Sequence, residues 1–342
     1  MKPLSGLRVA EIFAPDTPVP VRLAGAFAGR MLADFGARVS FQPPAPGDAL
    51  LRLHPVVDGH SACWDFVSAG KHAVAAAPGD LLKDQDALIV DEASHATLDT
   101  ATSAGAAAIL SLFPDDSQAR PGSEFTVLAT SGILDLIGDP EREPLQLAGH
   151  QAAYSAGLAA FTGLLAALCQ KQAGTAGKEV VRINLIDTML WVNWKSVIAG
   201  LDPAGAPTRP GKAAEWQTIR CADGWLALVY QSGDWPALRD LAGEPALHEP
   251  RFATHAARRA HGRELAAILE AGLSRHTRAE IRALAAARRL PLGGVWSVAE
   301  LLKDPHYLAR GVFAAAPGKG AMLSQPVVWN GQRLMPCGLP HA

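Results

Sequence analysis

From Ser5 to Phe113 the chain alternates short apolar runs with stretches of helical period, and this alternation constrains its fold more than any other feature. SGLRVAEIF reads as a first strand, because its apolar positions are few and bounded by turn residues. A Pro-rich insert, APDTPVP, follows. Next, LAGAFAGRMLADFGARVSF sets Ala24, Phe27, Ala28, Met31 and Leu32 at i, i+3 and i+4 intervals, which predicts an amphipathic helix stopped by Gly36. A second strand begins at Val39. Two strands joined through a helix pair in parallel, with the helix as crossover. DALIV (86–90) and AAILSLF (107–113) read as two more short buried strands, so this part of the chain is α/β.

Residues 154–170 predict one long helix with little charge, buried nearly all round. Small residues dominate its start (Ala152, Ala153, Ser155, Ala156, Gly157), which lets another backbone come close. After a turn at 174–177, VVRINLI alternates as a strand and leads into a helix from Asp187. Pro and Gly cluster across 201–216, as in a linker. Beyond it TIRCADGWLALVY predicts a hairpin turning at 222–224, with charged amphipathic helices at 234–242, 262–274 and 277–289. The expected organisation is a Rossmann-like large domain (1–200), a linker (201–216), a small α+β domain (217–290), and a return linker with the C-terminal part of the large domain (291–342).

Composition excludes several classes. With 342 residues, 49% apolar and 19% charged, the chain buries a sizeable core. A net charge of −2 without a block of like charges gives no footprint for nucleic acid or a membrane surface. No apolar run approaches the ~20 residues that span a bilayer, and MKPLSGLRVAEIF lacks a leader pattern, so the cytoplasm is expected. Cys63, Cys169, Cys221 and Cys337 are scattered without a CxxC pair, which argues against structural zinc and a disulfide framework. GxGxxG is absent after the first strand, and neither GxSxG nor HExxH occurs, so neither NAD nor a metal is expected.

Several segments, in order, carry a resemblance to the class III CoA-transferases: PLSGLRVAEI, LAGAFAGRMLADFGARV, PPAPGD, PGSEFTVLATSGILDLIGDP, PLQLAGHQAAYSAGLAAFTGLLAAL, GTAGKEVVRINLIDTML, ADGWLAL and PLGGVWSVAELLKDPHYLARGVF. The resemblance implies a dimer of interlocked chains, acyl-CoA and a small carboxylate as substrates, and covalent transfer through an aspartate that attacks the thioester. That aspartate stands four residues before the glycine that opens GLAAFTG, where this chain has Ala153. A glycine loop expected before the small domain reads RPGKAAEW, the polar pair before Lys71 is Ala69–Gly70, and DEASHA (91–96) replaces an acidic residue and a proline–glycine turn. The racemase branch of the superfamily needs a histidine where this chain has Ser123 and the same missing aspartate.

Four residues are the candidates for chemistry or binding. Glu124 matches a family acidic position; it reads as a relocated nucleophile or as a carboxylate facing its own helix N-terminus. His150 lies three residues before Ala153 and reads as an acid–base group or a local cap. Lys71 and Arg30 are, by the resemblance, the cations that meet CoA phosphates, against a reading as solvated charges. Tyr154 reads as packing or cleft lining, and Asp187 as a helix N-terminal carboxylate. Two functions therefore compete: an acyl-CoA to carboxylate CoA-transferase, or a non-catalytic relative that binds acyl-CoA or pairs with a related chain carrying the aspartate, as homodimer or heterodimer.

Overall fold

Six parallel strands form the central sheet: β1 (Arg8–Ile12), β2 (Arg38–Phe41), β3 (His72–Ala73), β4 (Ala87–Asp91), β5 (Ala106–Ser111) and β6 (Glu179–Asn184). Their order is β3-β2-β1-β4-β5-β6, the arrangement of a doubly wound sheet. The computed structural model describes residues 2–98, 105–114, 122–174, 177–202, 209, 216–316 and 320–334. β4 is buried along its whole length, which is why its sequence is a continuous apolar run rather than an alternation.

The chain divides into two compact units. One comprises Met1–Leu134, Gln146–Ala206 and Asp304–Ala342; the other comprises Asp135–Leu145 and Pro207–Lys303. The first holds the sheet and helices α1 (Val19–Asp34), α2 (Ala62–Ser68), α3 (Glu124–Thr130), α4 (Gln151–Gln172), α5 (Leu185–Val192) and α6 (Trp194–Ala199). The second holds a hairpin of β7 (Gln217–Cys221) and β8 (Gly224–Leu228), with β9 (Gly293–Gly294) on its open side. Over it lie α7 (Trp235–Ala242), α8 (Gly262–Leu273) and α9 (Arg278–Ala287), around a core that includes Tyr230, Trp235 and Phe252. Most of RPGKAAEW and Cys337 fall outside the described residues.

Two local expectations need correction. The Pro-rich insert is partly helix: α1 starts at Val19, with Pro20 in its first turn, where a missing N–H costs nothing. The long helix is not buried all round. Its buried residues form one stripe, Ala152, Ala153, Ala156, Gly157, Ala160, Leu164 and Ala167, while Leu158 on another face is 47% exposed. By length and composition α4 is also long and apolar enough to cross a membrane, as a core helix of small residues can be. Its stripe is closely packed: a Cβ on Gly157 would stand 2.6 Å from the Ala24 carbonyl oxygen of α1.

At the switch between β1 and β4, where doubly wound sheets hold dinucleotides, Asp91 occupies the crevice. Its carboxylate accepts from the Thr17 hydroxyl and from the backbone N–H of Ala14 (3.5 Å) and Ser94 (3.0 Å). The loop after β1 is thereby tied to the end of β4.

Candidate functional site

The site begins at the N-terminus of α4. A helix start leaves backbone N–H groups without partners, and the N-cap residue His150 supplies no side-chain acceptor of its own. Glu124 does so from α3: its Oε1 accepts from the N–H of Ala152 (2.7 Å) and Ala153 (3.2 Å). Its Oε2 lies 2.8 Å from His150 Nδ1. Glu124 thus faces the dipole of α4, not that of its own helix, whose cap is Ser123 in a reciprocal box with Thr126.

An ionised carboxylate only accepts, so with Glu124 ionised and the ring neutral the shared proton sits on Nδ1 and Nε2 is the ring's acceptor. Nε2 has no hydrogen-bond partner among the described residues. The imidazole is 29% exposed and borders a cavity of about 1160 Å³, larger than the ~300–1,000 Å³ of ordinary small-molecule sites.

Aromatic and aliphatic side chains from α1, α2 and α4 form much of the cavity wall. Phe27 packs against Phe66 and Tyr154 at ring-centroid distances of 6.3 and 5.2 Å. The Tyr154 hydroxyl lies 3.6 Å from Cys63 Sγ, and burial pushes both groups up from their ordinary pKa values, so each keeps its proton. Cys63 is accordingly a poor nucleophile.

Of the two cations singled out in the sequence, neither is free to meet a phosphate. Lys71 has no exposed surface; its ammonium donates to Glu11 Oε1 at 2.6 Å and to the Ala26 carbonyl at 2.7 Å. Desolvation pulls Lys71 down and pushes Glu11 up to about 6, and each partner opposes the other's shift. Arg30 does border the cavity, but as part of its wall. Its Nε donates to Asp34 at 2.7 Å, Nη1 donates to the Phe66 carbonyl, and the guanidinium stacks 4.9 Å from the Phe66 ring centroid. Asp34 also accepts from Gln325 Nε2 at 2.8 Å, yet its buried Oδ1 has no partner, an acceptor that a ligand N–H would satisfy.

The other cations at this cavity are Arg52 and Arg310, both exposed, and the half-buried Arg333. Arg333 is held by the backbone carbonyls of Arg310 (3.0 Å) and Gln325 (2.8 Å), which orient it without neutralising it. Among the described residues, neither Arg52 nor Arg310 forms an ion pair through its side chain. No pattern in one sequence connects positions so far apart, and they were not among the candidates above. Ala153 is fully buried, with its N–H on Glu124. Asp187 accepts from Asn184 Nδ2 at 2.8 Å. Among the described residues, no group of three or more His, Cys, Asp or Glu is placed to hold a metal.

Comparison with known proteins agrees with this architecture. The chain is 27% identical to a succinyl-CoA–D-citramalate CoA-transferase of Chloroflexus aurantiacus, over 90% of this chain and 82% of that one. It is 24% identical to a succinate–glutarate CoA-transferase of Agrobacterium fabrum, over 91% and 84%. A CaiB/BaiF family protein from Brucella suis superposes with a TM-score of 0.86 and 25% identity, covering 100% of this chain and 96% of that one. The pattern of CoA-transferase family III matches residues 110–336, more than half of the molecule. The chain belongs to CoA-transferase family III.

Proposed function

We propose that this chain binds a CoA thioester in the cavity beside α4 but does not, on its own, carry CoA on a side-chain carboxylate. The observation behind this reading is the full engagement of Glu124 next to the methyl group of Ala153. One Glu124 oxygen accepts from two N–H groups and the other faces an imidazole, which leaves neither poised for attack. Arg52, Arg310 and Arg333 suit the phosphates of CoA, and the apolar wall suits the pantetheine arm and acyl chain. The names of the relatives point to dicarboxylic acyl groups and a small carboxylate acceptor. In this reading the molecule works in the cytoplasm as an interlocked dimer, either with itself or with a related chain that supplies the aspartate. A metal and NAD play no part in this reading.

One observation favours the alternative of a working transferase. The Glu124 carboxylate lies on the amide of residue 153, beside the place the nucleophile takes by family resemblance. Succinyl-CoA and labelled glutarate, followed by intact-protein mass spectrometry, separate the two readings. Saturable binding without a covalent adduct or label transfer is expected. A CoA adduct mapped to Glu124, or transfer by the lone chain, overturns the proposal.

A further inference from the structure

We infer that His150, held by Glu124, is a general base that hydrolyses the CoA thioester bound in this cavity. The inference rests on the binding reading above but adds an activity to it. A thioester needs only an activated water to be cleaved, so the missing aspartate is no obstacle. Three features converge. The Glu124 carboxylate fixes the imidazole tautomer with Nε2 as acceptor, the arrangement that a His base requires. That ring borders the large cavity and retains exposed surface. Tyr154 lines the same cavity one helical turn along α4, its ring centroid 6.4 Å from that of His150, with a hydroxyl whose proton burial retains. It is the donor for the oxyanion.

The step balances with water alone. Water oxygen attacks the thioester carbonyl carbon while its proton passes to His150 Nε2. The tetrahedral intermediate collapses with cleavage of the carbon–sulfur bond, and the proton goes on to sulfur. One thioester and one water become one carboxylic acid and one free thiol. Glu124 touches neither substrate nor water; it is a positioning residue that sets the tautomer and caps the helix.

Glu124→Gln tests the geometry closely. The amide oxygen still accepts from Ala152 and Ala153, but the amide NH₂ now faces Nδ1 and moves the ring proton to Nε2. Free-thiol release from acetyl-CoA and octanoyl-CoA is measured for the wild type, Glu124→Gln and His150→Gln. Binding of the uncleavable thioether S-octyl-CoA and the melting temperature are followed in parallel. Expected are wild-type hydrolysis above the buffer rate, a fall in kcat of about 10²–10⁴-fold in both variants with thioether affinity kept, and a ¹⁵N signature showing the switched tautomer in Glu124→Gln. Thioether binding by the wild type without hydrolysis overturns the base and leaves the binding reading intact. No binding of the thioether removes the binding reading and the inference with it. Unchanged kcat in His150→Gln overturns the inference outright, and because that ring is partly exposed this variant keeps the helix cap if Glu124→Gln does not fold.

Discussion

At the scale of single residues, Lys71 and Glu11 show how burial changes what a charge does. Gly29 makes their pairing possible, since a Cβ there would fall 1.6 Å from Glu11 Oε1. Removing one partner leaves the other charged and alone in the core, so Lys71→Met is expected to cost about 3–5 kcal/mol in urea unfolding, with Glu11→Leu/Lys71→Met recovering most of it. The pair also sets a pH dependence. Glu11 is pushed from 4.5 to about 6 by burial, so between those values the folded chain keeps a proton that the unfolded chain has released. Its contribution is full below pH 4.5 and is lost as pH rises through 6, amounting to about 2 kcal/mol. A urea-stability profile from pH 4 to 7 is expected to lose this slope in Glu11→Gln. Lys71 stood out in the sequence by its place in the family pattern, but its burial did not. A lysine in a short loop before a strand reads as solvated, and the carboxylate that draws it inward lies 60 residues away.

At the scale of elements, the contact between α1 and α4 organises the site, and its tightness rests on small residues. Gly157→Ala drives a methyl group against the Ala24 carbonyl, a rigid backbone atom that cannot swing aside. A loss of about 1–3 kcal/mol is expected by thermal unfolding, with a weakened cavity wall at Phe27 and Tyr154 read from reduced thioether affinity. The small-residue start of α4 was legible, and so was the close approach it permits. The burial of a single stripe was not, because an alanine-rich helix carries too little contrast between its faces to show which one packs. Glu124 and His150 were both visible as candidates. Their bond was not, since it joins the start of one helix to the start of another across 26 residues of chain.

At the scale of the whole molecule, apolar surface remains uncovered along α5, α6 and the residues after them. Trp191 is 78% exposed, Ile198 57% and Leu201 83%, and with Trp194 they recur near helical spacing. The dimer proposed above would bury such a patch. Trp191→Ser/Ile198→Ser is expected to weaken self-association in sedimentation velocity, and an unchanged association state in the double variant removes this patch from the interface.

What the amino-acid order determined by itself is the strand–helix succession, the hairpin and helices of the second unit, and membership of CoA-transferase family III. These are local or colinear properties, set by periodicity, turn chemistry and motif order. Tertiary structure alone decided which charges face the cavity and which are sealed away. It drew Lys71 onto Glu11, made Arg30 part of a wall, brought Arg310 and Arg333 to the cavity, and placed Glu124 on His150. The physical reason is that solvation and pairing depend on neighbours in space, and a parallel sheet with crossover helices gathers those neighbours from distant parts of the chain.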